Sequence, residues 1–378
     1  MQYVAGRAGA VLRIDLQAVR YNYRLLSKML GTAKCGAAVK ADAYGLGVVE
    51  ISRVLFDEGC RHFFVAHLEE AIVLRPHLSL DAAIYVMHGS PVGYEAEFLE
   101  HRCIPVLNSA QQISAWRELA VSRQQQLPAI VQLDTGMSRM GLSSQEVNEW
   151  VAHPALTSGI DIQFLMSHLS CAEDQSHPMN RAQLHTFQAL RSRLPACGAS
   201  FANSSGIFLG TDFHFDLARP GAALYGVAPV AGQSNPLKAV AHLQGRIIQT
   251  RDIPADTGVG YGLTWRSQRP SRIATVAVGY ADGWMRSLSN RGVAEIAGKT
   301  VPMVGNVSMD TITLDVSQID AAYLQPGALV DLISATNTVD QVAAKANTIG
   351  YEILTSLGSR YQREYADSST TIPHQTNA

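Results

Sequence analysis

Residues 37–47 read AAVKADAYGLG. Three small or β-branched apolar residues, Ala37, Ala38 and Val39, lead straight into Lys40, and Asp42, Tyr44 and two glycines follow. A short apolar run of this kind predicts a strand buried on both faces, as in a parallel sheet. A lysine at its exit is held against a dry core. Desolvation lowers an amine's pKa, and a lowered pKa makes it nucleophilic enough for Schiff-base chemistry. A surface lysine opening a loop would give the same letters, so the neighbouring segments decide.

Those segments repeat the pattern. Apolar runs recur at GAAVKA (36–41), HFFVAH (62–67), AAIYVMHG (82–89), CIPVLN (103–108), AIVQLD (129–134), IQFLMSHL (162–169), SFANS (200–204) and FDLARPG (215–221). Helix-like spacing lies between them, for example Val49, Ser52, Arg53, Leu55 and Phe56 after the first. Strand–helix alternation repeated eight times predicts a parallel (β/α)8 barrel. In such barrels the working side chains sit at the C-terminal ends of the strands, so Lys40, His168, Asn203, Ser204 and Arg219 are expected at one mouth. His67 and His88 read as structural histidines.

After Gly226 the texture changes. Val227 to Pro236 holds two prolines, a glycine, Ser and Asn, and reads as a linker. VAHLQGRIIQTR (240–251), RIATVAVGY (272–280), GVAEIAGKTVPMVG (292–305), TITLDV (311–316) and ALVDLI (328–333) are β-rich, with a hairpin expected to turn at Gly298-Lys299. A helix is expected over 339–350, and the last dozen residues, rich in Ser and Thr, are expected to lack order. The division is therefore a barrel over 1–232 and a mostly antiparallel β domain over 233–378.

Composition narrows the partners. Lys+Arg 30 against Asp+Glu 32, with no basic block, argues against nucleic acid and anionic membranes. The five cysteines are scattered without a C-x-x-C, so neither a disulfide framework nor a metal site is expected, and a reducing cytoplasm fits. No stretch approaches the ~18 apolar residues of a membrane span, and the first residues carry no signal-like apolar core.

With these features in place the chain resembles the alanine racemases, barrel-type enzymes that use pyridoxal 5'-phosphate. The matching stretches are AAVKADAYGLG (37–47), LDTGMSRMG (133–141), MSHLS (166–170), FANSSG (201–206), RPGAALYG (219–226), VGYGLTW (259–265), GYADGW (279–284) and GNVSMD (305–310). All of them in this order make a specific resemblance over nearly the whole chain. It implies that Lys40 carries the cofactor and that Lys40 and Tyr261 are the two catalytic bases. Removal of the Cα proton leaves a planar carbon with two faces, and racemisation needs a proton donor or acceptor on each. Lys40 would serve the D-enantiomer and Tyr261 the L-enantiomer. A phenol with a pKa near ~10 needs cationic neighbours to act as a base, and His168 and Arg219 are the candidates.

The resemblance further implies that Arg219 faces the pyridine nitrogen. A guanidinium keeps its proton, so that nitrogen stays unprotonated. Tyr44, Ser204 and the amides of Gly221 and Ala222 would hold the phosphate, with His168 and Asn203 beside the cofactor. Arg139 and Met309 would meet the substrate carboxylate, and Tyr280 would close the pocket. Tyr261 and Met309 would come from the opposite subunit of a homodimer. In a bacterium the role would be to supply D-alanine for the cell wall.

Two positions depart from the family pattern. Many members carry a carbamate-forming lysine where this chain has Gln132, so Arg139 is expected to be held by the Gln132 amide oxygen or by a bound anion such as chloride. Ser359 stands where some members have a tyrosine near the phosphate, which leaves a broader-specificity racemase open. A protein that binds the cofactor without turnover is the alternative of a different class.

Overall fold

The apolar runs become eight short parallel strands. The computed structural model describes residues 7–367, so the Ser- and Thr-rich stretch from residue 368 onward, expected to lack order, lies outside the described residues. Seven strands pair in chain order: Ala37–Ala38, His62–Val65, Ala83–Val86, Ile104–Leu107, Leu127–Gln132, Ile160–Met166 and Gly198–Ser200. The eighth, Leu217–Ala218, runs parallel to Lys34–Cys35, just upstream of the first. The amides of Lys34, Gly36 and Ala38 donate to the carbonyls of Asp216, Ala218 and Pro220 at 2.8, 2.9 and 2.8 Å. On its other side, the amides of Asp216 and Arg219 donate to Ala199 and Ala202 at 3.0 and 2.9 Å. The short eighth segment is thus bonded to both neighbours, and the barrel closes.

Ala38, Phe64, Tyr85, Val106, Ile130, Phe164, Met166 and Leu217 fill the barrel interior. Side chains from neighbouring strands stack in layers there, so the barrel is a packed core and its chemistry is confined to the ends. The other strand faces are covered by helices such as Leu16–Leu30, whose Val19, Tyr23, Leu26 and Leu30 are buried. Asp15 caps that helix by accepting from the Ala18 amide at 2.9 Å.

The second domain is a mostly antiparallel sheet built on Ala241–Ile253, with Ser271–Val276, Val293–Ile296, Lys299–Pro302, Ile312–Asp315 and Leu329–Ile333. One strand does not follow the division at 232/233. Ala10–Asp15, at the start of the chain, pairs antiparallel with Ala241–Ile253 and parallel with Gln362–Ala366. A strand must pair its backbone groups somewhere, and here the partners lie more than two hundred residues away. The hairpin turns at Ala297-Gly298, one residue earlier than expected, because Ile296 pairs with Lys299 and both loop residues adopt positive φ, 50° and 73°. The tail forms two helices, Val339–Ala346 and Gly350–Ser356; the first ends where Asn347 turns left-handed at φ 59°.

The two domains meet at the turn that begins with Lys40. A Cβ on Gly45 would lie 2.7 Å from the Leu354 carbonyl oxygen, so only glycine lets the second tail helix approach this closely. Arg363 donates to the Gly45 carbonyl from the same side.

Candidate active site

Lys40 leaves the first barrel strand and enters a turn of unusual hand. Ala41, Asp42, Ala43 and Tyr44 all take left-handed φ between 52° and 57°. Each such L-residue costs roughly 1–2 kcal/mol, so the turn must be held from outside. Asp42 Oδ1 accepts from the Val48 amide at 2.8 Å, and Glu70 Oε1 accepts from the Ala41 amide at 2.6 Å. Tyr225 fixes the strand itself, its hydroxyl donating to the Ala38 carbonyl at 2.9 Å. Burial lowers the Lys40 pKa, the nearby positive charge of Arg139 lowers it further, and Glu70 acts in the opposite sense.

Arg219 is buried at the mouth, 5% exposed. Its guanidinium donates to Ser200 Oγ at 2.6 Å, to the Ser167 carbonyl at 2.7 Å and to His168 Nδ1 at 3.3 Å. Asp216, three residues away, turns instead to the Ala199 amide at 2.7 Å. Burial pulls the Arg219 pKa down to about 9, still well above neutrality, so the group stays charged. A guanidinium can only donate, so His168 Nδ1 is the acceptor and its proton sits on Nε2. Burial, then Arg219, then Arg139 and Lys40 push the His168 pKa down to about 3. His168 is therefore neutral at physiological pH, and the expectation that it supplies positive charge to a phenol does not hold.

A cradle of small groups lies beside these residues. Ser204 Oγ accepts from the amides of Gly221 and Ala223 at 2.9 and 3.1 Å, with Ala222 between them. A Cβ on Gly221 would stand 2.4 Å from the Tyr44 hydroxyl, so the phenol and this backbone share one narrow space. Tyr44 packs on Tyr225 with ring centroids 4.8 Å apart and on Tyr351 at 6.1 Å. Asn203 is spent on the loop: its Oδ1 accepts from Gly206 at 2.9 Å and its Nδ2 reaches the Leu169 carbonyl at 3.5 Å.

Arg139 is exposed on a loop shaped by Asp134, whose Oδ1 accepts from the amides of Gly136, Met137 and Ser138. Gln132 does not hold it. The Gln132 amide is buried and donates to the Met140 carbonyl at 3.3 Å, bracing the loop instead of the guanidinium.

Tyr261, Tyr280 and Met309 stand apart from this group. All three lie exposed on the β domain, at 75%, 44% and 53%. Hydrogen bonds join them into one rim: Asn306 Nδ2 donates to the Tyr261 carbonyl, the Tyr280 amide to the Ser308 carbonyl and the Ala281 amide to the Met309 carbonyl. Within one chain the Tyr261 ring is turned to solvent and is not against Lys40. Ser359 is exposed too. Sequence reasoning missed Glu70, Tyr225 and Tyr351. Glu70 follows the polar end of a barrel strand and could have been found there; Tyr351 comes from the tail helix, and no local signal links it to Tyr44.

A low-pKa amine at a barrel mouth, a buried guanidinium with no carboxylate partner among the described residues, and hydroxyls with amides gathered for an anion fit pyridoxal phosphate. Together they define the class, a barrel-type pyridoxal-phosphate enzyme. Residues 14–229 match the alanine racemase N-terminal domain and residues 240–365 the alanine racemase C-terminal domain. A catabolic alanine racemase of Agrobacterium fabrum is 46% identical over 99% of this chain and 98% of its own length, and an alanine racemase of Brucella abortus is 45% identical over 95% and 94%. The crystal structure of the Bartonella henselae alanine racemase with covalently bound pyridoxal phosphate superposes with a TM-score of 0.92 at 43% identity, covering 95% of this chain and all of that one. The chain belongs to the alanine racemase family. Its activity is the pyridoxal-phosphate-dependent interconversion of L- and D-alanine.

Proposed function

We propose that racemisation uses two bases from two copies of the chain, Lys40 of one and Tyr261 of the other. The observation that carries this is the exposure of Tyr261, 75%, on a rim with Leu263, Tyr280 and Met309. Large side chains exposed together mark a surface that a partner covers, and a second copy would bring the phenol over the barrel mouth. Pyridoxal phosphate, when bound, supplies the electron sink that makes the Cα proton removable. Lys40, its pKa lowered by burial, takes or gives that proton on one face. Tyr261 does so on the other, with Arg139 and Arg219 rather than neutral His168 as the fixed positive charges nearby.

Ser204, Tyr44 and the backbone at Gly221 and Ala222 would hold the phosphate, and Arg219 would face the ring nitrogen. His168 and Asn203 shape the walls through Arg219 and the 203–206 turn. Arg139, exposed and free to fork, would meet the substrate carboxylate, or a bound anion would sit beside it, with Met309 and Tyr280 closing over the substrate. The five cysteines are free, in keeping with a cytoplasmic setting, and no helix among the described residues is long and apolar enough to cross a membrane.

The test is complementation. Lys40→Ala and Tyr261→Phe chains are each expected to be inactive. Mixed and allowed to exchange, they should recover activity, because one site of the mixed dimer has both bases. A mixture that stays inactive, with mixed dimers verified by mass, would place the two bases in the same chain. A second reading concerns the use of the reaction. Relatives of Agrobacterium and Mesorhizobium at 46% identity are catabolic alanine racemases, which favours a catabolic use over cell-wall supply. A deletion strain that grows without added D-alanine would support it.

A further inference from the structure

The Glu70 carboxylate does more than cap a helix. It lies at the third position of the helix Leu68–Leu74 and takes the His67 amide at 3.1 Å, which is the carboxylate's whole share of a capping box. The same oxygen, Oε2, also takes the Ala66 amide at 2.6 Å, while Oε1 takes the Ala41 amide at 2.6 Å. Ala66 follows the second barrel strand, and Ala41 is the residue after Lys40. One carboxylate thus ties the exits of two neighbouring strands, and its far arm holds the first residue of the left-handed turn.

We propose that Glu70 is the positioning residue for Lys40, fixing the strained turn that aims the amine and setting a negative charge beside it. This rests on the reading that Lys40 carries the cofactor and moves the proton. The charges around Lys40 come from several elements. Arg139 reaches it from the 134–141 loop, and the buried Arg219 stays protonated behind His168. His168 is neutral, and His88 is held low by burial and by His67, whose ring meets it edge-on at 4.6 Å. Asp42 faces Val48 instead. Among the described residues Glu70 is the acid whose charge opposes Arg139 at the amine. A neighbouring anion favours the protonated amine, so its loss moves Lys40 to lower pKa.

The experiment uses the holoenzyme with two variants. In Glu70→Gln, the amide presents a donor to one of the backbone donors and removes the charge. Hydrogen exchange, read by mass on the peptide covering 37–47, should lose protection by about tenfold or more, as expected for the loss of a charge-assisted bond. The acid limb of the rate of D-alanine conversion should move down by roughly half a pH unit or more. Glu70→Asp keeps the charge, so its limb should stay near the wild-type position while the shortened side chain loses the Ala41 bond and its protection. An unmoved limb or unchanged protection in Glu70→Gln overturns the proposal. Should that variant not fold, unchanged protection in Glu70→Asp overturns it equally. Borohydride trapping on wild-type protein separates the two levels: failure to label Lys40 defeats the underlying reading, whereas labelled Lys40 with unchanged variants defeats only the role of Glu70.

Discussion

The Arg219 guanidinium donates to His168 Nδ1 across 3.3 Å, a buried cation held by a neutral ring and two oxygens instead of a carboxylate. The arrangement keeps both groups in fixed states at neutral pH. Arg219 stays protonated, and its charge is one reason His168 does not. A planar fork spreads its donors over acceptors that stand apart, whereas lysine must direct all three of its donors from one compact nitrogen on a shorter side chain. Arg219→Lys should leave at least one buried acceptor unmet, at a cost of about 1–3 kcal/mol. Denaturant unfolding with the midpoint compared between wild type and variant checks this. A midpoint unchanged within error would mean that the lysine is fully accommodated.

The left-handed turn after Lys40 makes a prediction of opposite sign. Ala41 has φ 53° and an exposed side chain, so its Cβ brings strain and little packing. Glycine relieves roughly 1–2 kcal/mol of left-handed strain and gives back about 0.5–1 kcal/mol through the freedom of the unfolded chain. Ala41→Gly should therefore stabilise the protein by up to about 1.5 kcal/mol, whereas Ala41→Val, β-branched at the same φ, should destabilise it. Thermal melts of the two variants beside wild type decide. Destabilisation by glycine would mean that the Ala41 methyl packs usefully.

These two regions mark how far the sequence could be read. The strands were legible because each is buried on both faces and so is written as a nearly continuous apolar run, and the polar residue that ends the run is where the barrel keeps Lys40, His168 and Arg219. Ala10–Asp15 was not legible as part of the β domain, because an apolar strand carries no mark of which distant partner will bond it. Nothing in Ala-Asp-Ala-Tyr signals four left-handed residues; glycine or asparagine would, and the conformation is imposed by Glu70, Asp42 and the tail helix pressing on Gly45. The state of His168 needed its depth of burial and the neighbouring guanidinium, neither of which a letter conveys.

Gly221 separates shape from charge in the anion cradle. Its φ of −125° lies outside the left-handed region, so positive-φ strain is not what excludes a side chain there. A methyl group would instead stand 2.4 Å from the Tyr44 hydroxyl and 3.2 Å from the Ala38 methyl. Gly221→Ala should push Tyr44 out of the cradle and weaken pyridoxal phosphate binding by about tenfold or more, equivalent to about 1.4 kcal/mol. Equilibrium dialysis of protein stripped of cofactor measures it. Wild-type affinity in this variant would show that Tyr44 moves aside without loss.

The half-buried histidines His62 and His168 fix the direction in which acid acts on stability. Burial, with the charge of Lys34 adding to it, holds His62 at about 4, and His168 lies at about 3, against about 6.5 in an unfolded chain. Between those values the unfolded chain binds protons that the folded chain refuses. Stability therefore falls as pH drops below about 6.5, and this loss is complete only below the folded values. His62 Nδ1 lies 3.0 Å from the Tyr85 hydroxyl at the far end of the barrel from Lys40, so it can be changed without touching the mouth. His62→Gln keeps a hydrogen-bonding group there and removes the titration. Its melting temperature should fall less than that of wild type between about pH 7 and about pH 5, where an ordinary histidine changes charge. Parallel curves would mean that His62 takes up its proton in the folded state at an ordinary pH.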